Sequence, residues 1–383
     1  MDYLFTEEQE MIRGLSRQIT DEQIRPAAAE LDRTGKFPRE IMNVMAQSDL
    51  FGLYIEEKYG GMGGGITDVC IATEEFSKGC GGIAISYAAS ALGTYPIMLF
   101  GSDEQKQKFL PLLASGEKMA AFGLTEPSAG SDASAMLTTA EKKGDKYVLN
   151  GMKHFVTGGS EADFYTVIAM TNKSKGARGA SLFIVEKGTH GFEFGKKEDK
   201  LGIRASSTTE LIFNDCAIPK ENLLAKEGMG FITAMKTFDM SRPGIGAQAV
   251  GIAQGALDYA LKYAKERKQF GKSISTFQGI QWMLADMATE VEAARALVYA
   301  SAREVDSGKK DVGKASAMAK LFASDVAMRV TTDAVQIFGG YGYMKEYPVE
   351  KFMRDAKITQ IYEGTNQIQR NIIGLALIKE TVK

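Results

Sequence analysis

The strongest constraint on the fold of this chain is that its hydrophobic period changes twice. Apolar residues recur at helical spacing to about residue 120, in short β-type runs to about 224, and at helical spacing again to the end. In the first part, Thr6 with Gln9 makes a capping-box pattern, and Met11, Ile12, Leu15 and Ile19 follow on one helical face. Pro26 and Pro38 punctuate the next segments. Tyr59–Gly65 is a glycine loop with no leading strand and no GxGxxG register, so it reads as a connection and not as a nucleotide site. Helical patterns resume over 68–79 and 83–100, and Ser102 with Gln105 opens another helix. The middle part carries the runs Tyr147–Leu149, Phe164–Ala169, Leu182–Val185 and Glu210–Phe213, separated by turns such as Lys143–Lys146. Gly228-Met-Gly230 marks a second boundary. Beyond it, Ala249, Ile252, Ala253, Ala256, Leu257, Ala260 and Ala264 share one helical face, as do Ile280, Met283, Leu284, Met287, Val291, Ala294 and Val298. Small residues on these faces let helices approach closely, as in a bundle.

Charge and composition narrow the function classes. Lys and Arg total 46 against 48 Asp and Glu, a net charge of -2, so no basic surplus invites nucleic acid. No apolar run is expected to reach the ~18 residues of a membrane span. The start, MDYLFTEEQE, has neither a signal peptide's basic residues nor a transit peptide's arginines. Cys70, Cys80 and Cys216 are odd in number and lack CxxC spacing, as expected of buried reduced thiols in a cytoplasmic, bacterial-type protein. His154 and His190 are the only histidines, so neither a His-rich metal site nor a His-based triad is expected.

Three stretches concentrate chemistry. In Lys357-Ile-Thr-Gln-Ile-Tyr-Glu-Gly-Thr-Asn-Gln-Ile-Gln-Arg370, Glu363 follows the apolar pair Ile361 and Tyr362 and precedes Gly364. A carboxylate held against apolar neighbours resists ionising and gains proton affinity, though the same pattern also describes a solvated turn. Gly123-Leu-Thr-Glu-Pro-Ser-Ala-Gly-Ser-Asp-Ala-Ser-Ala135 can offer N–H groups and hydroxyls to a polar ring edge or a phosphate, or can be an ordinary turn. Gln336-Ile-Phe-Gly-Gly-Tyr-Gly-Tyr-Met-Lys-Glu-Tyr-Pro-Val-Glu-Lys-Phe-Met-Arg-Asp355 puts bare backbone at Gly339 and Gly340 beside a Gln that both donates and accepts.

The last two stretches resemble the two signatures of the acyl-CoA dehydrogenase family, and with Ile-Tyr-Glu-Gly-Thr the resemblance covers essentially the whole chain. It implies an α+β multidomain fold: an N-terminal helical domain (1–119), a middle β-barrel or sandwich domain (120–228) and a C-terminal four-helix bundle (229–383). It also implies an FAD flavoenzyme in which Glu363 removes the α-proton of an acyl-CoA while hydride leaves the β-carbon for flavin N5. Backbone N–H of Glu363 would hold the thioester oxygen, a donor worth ~3–4 kcal/mol in such sites.

Carried over by motif, Phe122, Leu124 and Thr125 would line the flavin ring, with Ser131 near flavin and substrate. In Lys153-His-Phe-Val-Thr-Gly158, Phe155 stands where many members have Trp, and Thr157 would contact flavin N5. The resemblance gives His154 no catalytic role. Arg267 would pair with the FAD pyrophosphate across a subunit interface, with Phe270, Gln278, Gln336, Gly339, Gly340, Thr365 and Gln367 as further cofactor contacts. Phe238, Asp239, Arg242 and Gly364 would meet the substrate; taken alone, Asp239 and Arg242 form a local helix ion pair. Ser241 stands where some branches carry the catalytic Glu, which leaves Glu363 as the base.

The expected assembly is a homotetramer, a dimer of dimers sharing FAD across an interface, with an electron-transfer flavoprotein as electron acceptor. Ser86–Gly93 would line the acyl pocket; its small side chains and lack of Arg point to a short or medium unbranched chain or a compact ring. The likeness is greatest to bacterial butyryl-CoA dehydrogenases, whose chemistry can also run as enoyl-CoA reduction. Two other readings are an oxygen-using acyl-CoA oxidase, usually a longer chain, and an idle nucleic-acid-binding relative, which Glu363 and the net charge oppose.

Overall fold

The computed structural model describes residues 3–381; Met1, Asp2, Val382 and Lys383, the ends of the expected first and third domains, lie outside the described residues. Six helices come first: α1 (Glu7–Ile19), α2 (Arg25–Thr34), α3 (Arg39–Gln47), α4 (Ile66–Ser77), α5 (Gly81–Phe100) and α6 (Asp103–Ala114). Thr6 and Ser102 cap α1 and α6 as expected. Each hydroxyl accepts the backbone N–H three residues on, and Gln9 or Gln105 returns a bond to the cap. Pro26 falls in the first turn of α2, which continues α1 through a π-helical turn over Thr20–Ile24, so the N–H that proline lacks coincides with a local widening of one long helix.

α4 is buried along its whole length, and α5 lies beside it. α5 corrects one expectation, because its 20 residues are long and apolar enough to cross a membrane by length and composition. It is instead a core helix, 72 % of its most apolar stretch being buried inside the protein.

The middle of the chain forms strands β1 (Ala120–Gly123), β2 (Thr139–Lys143), β3 (Lys146–Thr157), β4 (Phe164–Met170), β5 (Ala180–Glu186), β6 (Phe192–Lys197), β7 (Thr208–Pro219) and β8 (Leu223–Leu224). They hydrogen-bond in the order β6-β7-β3-β2-β4-β5-β8, with β1 added parallel to β4. Two halves meet at one rung, Thr139 beside Met170, and face each other through Tyr165 on Phe192 and Tyr147 on Phe183. That arrangement is sandwich-like.

Gly93 sets how α5 meets this sheet. A Cβ there would stand 2.5 Å from the backbone nitrogen of Ala121, so only glycine lets α5 lie on β1. Ser90 Oγ accepts the Ala120 N–H at 3.1 Å in the same contact.

The rest is helical: α7 (Gly230–Glu266), a small hairpin of β9 (Lys268–Gln269) and β10 (Lys272–Ser273), α8 (Gln278–Asp306), α9 (Gly313–Phe338), α10 (Val349–Thr359) and α11 (Asn366–Thr381). α7, α8 and α9 pack together through the Ala-rich faces, and α10 and α11 pack on α9. Pro243 lies inside α7 and cannot donate to the Asp239 carbonyl; Ser316 Oγ on α9 takes that acceptor at 2.6 Å. Asp355 on α10 accepts the Ile203 N–H at 2.6 Å and the Lys351 ammonium at 2.5 Å, while Lys351 also reaches Cys80 Sγ at 3.1 Å. One buried pair thus ties α10 to the loop after β6 and to the start of α5. All three cysteines are buried and free.

Candidate active site

Glu363 occupies the turn between α10 and α11. It has φ +52°, and Gly364 follows at +93°, a pair of left-handed residues that only a tightly held turn supports. The positive φ at Gly364 favours glycine, and a side chain there would also have to displace Gln369 Nε2, 2.8 Å from the added Cβ, from its bonds to the turn. Three elements hold the turn. Gln369 on α11 donates to the carbonyls of Glu363 (3.1 Å) and Gly364 (2.8 Å). Arg242 on α7 donates to the Glu363 carbonyl at 3.4 Å, and Lys320 on α9 to the Gly364 carbonyl at 2.9 Å.

The carboxylate itself accepts a 2.6 Å bond from Ser241 Oγ. Burial pushes its pKa up to about 7, against the opposing pull of the Ser241 hydrogen bond and the Arg242 and Lys320 charges. A base poised near neutrality is what proton abstraction at physiological pH calls for.

Two cavities meet at Glu363. The larger, about 570 Å³, is bounded by Thr125, Ser131, Phe155 and Thr157 on the sheet side and by Glu363, Gly364 and Thr365 opposite. The smaller, about 110 Å³, runs between Ile85, Ala89 and Leu92 of α5 and the apolar side chains of Phe122, Leu124, Phe238 and Tyr362. Phe122 and Phe238 pack edge to face there, centroids 5.5 Å apart.

A bulge in the β3–β7 ladder between Lys153 and Val156 puts Phe155 at φ +55° and turns its ring into the cavity, 60 % exposed. Behind it, Lys153 is fully buried and donates to Glu126 Oε1 (2.6 Å) and the Leu124 carbonyl (3.1 Å). Glu126 also accepts the N–H groups of Leu137 and Thr138, and the His154 N–H reaches the Thr125 carbonyl at 2.7 Å. This knot fixes the strand end that carries Leu124 and Thr125.

A separate groove, about 790 Å³, is lined by Tyr263, Arg267, Phe270, Phe338, Gly339 and Gly340 among others, and shares no residue with the other two cavities. Phe270 and Gly271, at φ +53° and +77°, form the tip of the β9–β10 hairpin, and the Phe270 ring is 93 % exposed.

The candidate residues therefore fall into groups. Glu363, Gly364, Thr365, Thr125, Ser131, Phe155 and Thr157 surround one cavity, and Phe122, Leu124 and Phe238 the smaller one. Arg267, Phe270, Gly339 and Gly340 share the groove. Gln278, Gln336 and Gln367 are exposed and line none of the three. Asp239 and Arg242 do pair, at 3.3 Å, and the buried Arg242 faces the Glu363 turn.

Residues 6–117, 121–216 and 228–378 match the N-terminal, middle and C-terminal domains of acyl-CoA dehydrogenase. The chain belongs to the acyl-CoA dehydrogenase family. It is 52% identical over 375 residues to "Acyl-CoA dehydrogenase, short-chain specific" of Clostridium acetobutylicum, covering 97% of this chain and 98% of that one. It is 49% identical over 381 residues to "Acryloyl-CoA reductase (NADH)" of Anaerotignum propionicum, covering 99% and 96%. Among solved structures, it is similar to a chain from "Electron transferring flavoprotein of Acidaminococcus fermentans: Towards a mechanism of flavin-based electron bifurcation", at TM-score 0.96 and 54% identity over 98% of this chain and 99% of that one.

Acyl-CoA dehydrogenases are FAD-dependent flavoproteins, and the donor set here fits that cofactor. Phe155 offers an exposed flat ring beside the Thr125 and Thr157 hydroxyls. Gly339 and Gly340 present bare backbone onto open space, and Arg267 supplies a cation for a phosphate. Sequence reasoning missed Lys320 and the Lys153–Glu126 knot. It also missed the setting of His154, whose ring nitrogens lie 3.2 Å from Glu210 and 3.6 Å from Glu198. Glu126 stood inside the first signature and Lys153 and His154 inside the Lys153–Gly158 stretch, but nothing in the sequence joined them.

Proposed function

We propose that this acyl-CoA dehydrogenase removes an α-proton from a short-chain acyl-CoA with Glu363, forming the 2-enoyl-CoA. The observation that carries the reading is a carboxylate near neutrality, on a strained turn, where an apolar slot and the larger cavity meet. Among the described residues nothing accepts the Glu363 N–H, which leaves it for the thioester oxygen. Ser131, Phe238 and Gly364 would border the substrate, and Asp239 and Arg242 would brace the turn behind it. When bound, FAD supplies the hydride acceptor. Thr125, Phe155 and Thr157 would hold its ring and Arg267 its phosphates.

The slot of about 110 Å³ supports a short acyl chain, and no Arg lines it to receive a second carboxylate. Because the groove carrying Arg267, Gly339 and Gly340 is separate from the Glu363 cavity, two chains sharing each FAD across an interface, in a homotetramer, account for both sets of residues. Similarity to the Acidaminococcus fermentans chain supports an electron-transfer flavoprotein as the redox partner.

The test is anaerobic titration of the yellow holoprotein with acyl-CoAs of increasing length. Bleaching of the flavin by butyryl-CoA, fading with longer chains, is expected; bleaching by aryl-propionyl thioesters alone would move the substrate class. The likeness to acryloyl-CoA reductase favours one second reading, net enoyl-CoA reduction with Glu363 returning the proton. Oxidation of the reduced holoprotein by crotonyl-CoA, faster than its reduction by butyryl-CoA at equal concentrations, would select it.

A further inference from the structure

We propose that Lys320 is a positioning residue for the base: clamped on Gly364 and Asn366, it holds the Glu363 turn in its left-handed form and its charge favours the carboxylate. This rests on the reading of Glu363 as the base.

Lys320 sits two turns into α9 with no accessible surface. Among the described residues no carboxylate lies within ion-pairing distance of it. Its ammonium is spent on two neutral oxygens, the Gly364 carbonyl and Asn366 Oδ1, both at 2.9 Å. A buried lysine without a carboxylate partner is costly, so its retention calls for a role. The geometry supplies one. Asn366 is oriented by its amide bonds to Ser324 Oγ (2.9 Å) and Asp325 Oδ1 (2.7 Å), which leaves its oxygen facing Lys320. Asp325 Oδ1 also accepts from Gln360 at 2.7 Å, and the Asn366 N–H bonds to the Gln360 carbonyl at 3.0 Å. α9 therefore grips both ends of the 360–366 turn through Asp325 and its middle through Lys320.

Two neutral acceptors need donors but not a charge; what a cation adds is its field on Glu363. Of the other charged or titratable groups around the turn, Arg242 on α7, Tyr95 on α5 and Tyr362 beside it interact with the base, while Asp239 pairs with Arg242, Asp325 on α9 acts on Lys320, and Arg370 on α11 pairs with Asp325. Burial pushes the Lys320 pKa down to about 7, into the range of Glu363 itself, so each group's ionisation depends on the other's.

The experiment compares holoprotein Lys320→Met, Lys320→Gln and Lys320→Arg with wild type. One readout is the pH dependence of flavin reduction by butyryl-CoA, and the other is amide hydrogen exchange of residues 360–366 without substrate. Loss of the cation raises the proton affinity of Glu363. The acid limb should therefore move to higher pH by about one unit in Lys320→Met, a roughly tenfold slower reduction on that limb. Exchange should accelerate in Lys320→Met and be partly restrained in Lys320→Gln, which keeps a donor but no charge; Lys320→Arg should restore the limb. An acid limb and exchange rates equal to wild type in both neutral variants would overturn the proposal. Glu363→Gln, run alongside, separates the two readings. Retained flavin reduction there overturns the base and this proposal together, whereas abolished reduction there, with limb and exchange both unmoved in the neutral Lys320 variants, overturns the Lys320 role alone.

Discussion

Ser241 Oγ donates to Glu363 Oε2 across 2.6 Å, joining α7 to a turn 122 residues further along the chain. Hydrogen bonds to charged groups are worth ~1.5–3 kcal/mol, or about one to two pKa units. Ser241→Ala should therefore raise the proton affinity of Glu363 and move the acid limb of flavin reduction upward, leaving the high-pH rate near wild type. Rapid-mixing kinetics across pH 6–9 would show it. An unmoved limb would mean that the bond serves the neutral acid as well as the anion.

The proton affinity of Glu363 has a cost in stability. Its folded pKa near 7 lies above the ordinary 4.5, so the fold favours the protonated form. That contribution is complete below about pH 4.5 and is lost as pH rises through about 7. Glu363→Gln imitates the neutral acid at every pH. It should be more stable than wild type by ~2–3 kcal/mol above pH 7, with the gap closing toward pH 5. Melting temperatures of the two holoproteins at pH 5 and pH 8 test the sign.

Lys153 and Glu126 are both buried, and their bond pins the strand end that carries Leu124 and Thr125. Lys153→Met strands Glu126 without its cation, which for a buried pair typically costs ~3–5 kcal/mol. The variant should purify with less FAD per chain and a lower Tm, read from the ratio of flavin to protein absorbance and a melting curve. The double variant Lys153→Met with Glu126→Gln should recover part of the Tm.

Ala89 faces the narrow slot from α5 with Ile85 and Leu92. A larger residue there removes room for methylenes. Ala89→Leu should lower kcat/KM for hexanoyl-CoA by about 10- to 100-fold relative to butyryl-CoA, the usual worth of one or two methylenes in an apolar pocket. Equal losses for both substrates would place the chain elsewhere.

The helix–strand–helix order was legible because periodicity is a local property, and the capping boxes at Thr6 and Ser102 because they need only four residues. Tyr362 and Gly364 announce an apolar wall and a turn at Glu363, a pattern that also fits a solvated turn, and the family resemblance decided between them. Lys320 and Lys153 could not be singled out. Their neighbours in sequence are those of any helix or strand, and their burial is decided by segments 44 and 27 residues away. The parallel pairing of β1 with β4 was equally hidden, since parallel strands carry no turn between them to reveal their register. The local Asp239–Arg242 pair was visible from spacing, but not that Arg242 points at the Glu363 carbonyl in the turn between α10 and α11.

At Gly93, α5 and β1 touch backbone to backbone, so one wall of the narrow slot is seated directly on the strand carrying Phe122. A descendant of this enzyme cannot put a side chain at residue 93, or bring α5 any nearer β1, without displacing that strand. Its substrate range can therefore diversify through the side chains of Ile85, Ala89 and Leu92, while the helix axis stays where catalysis put it.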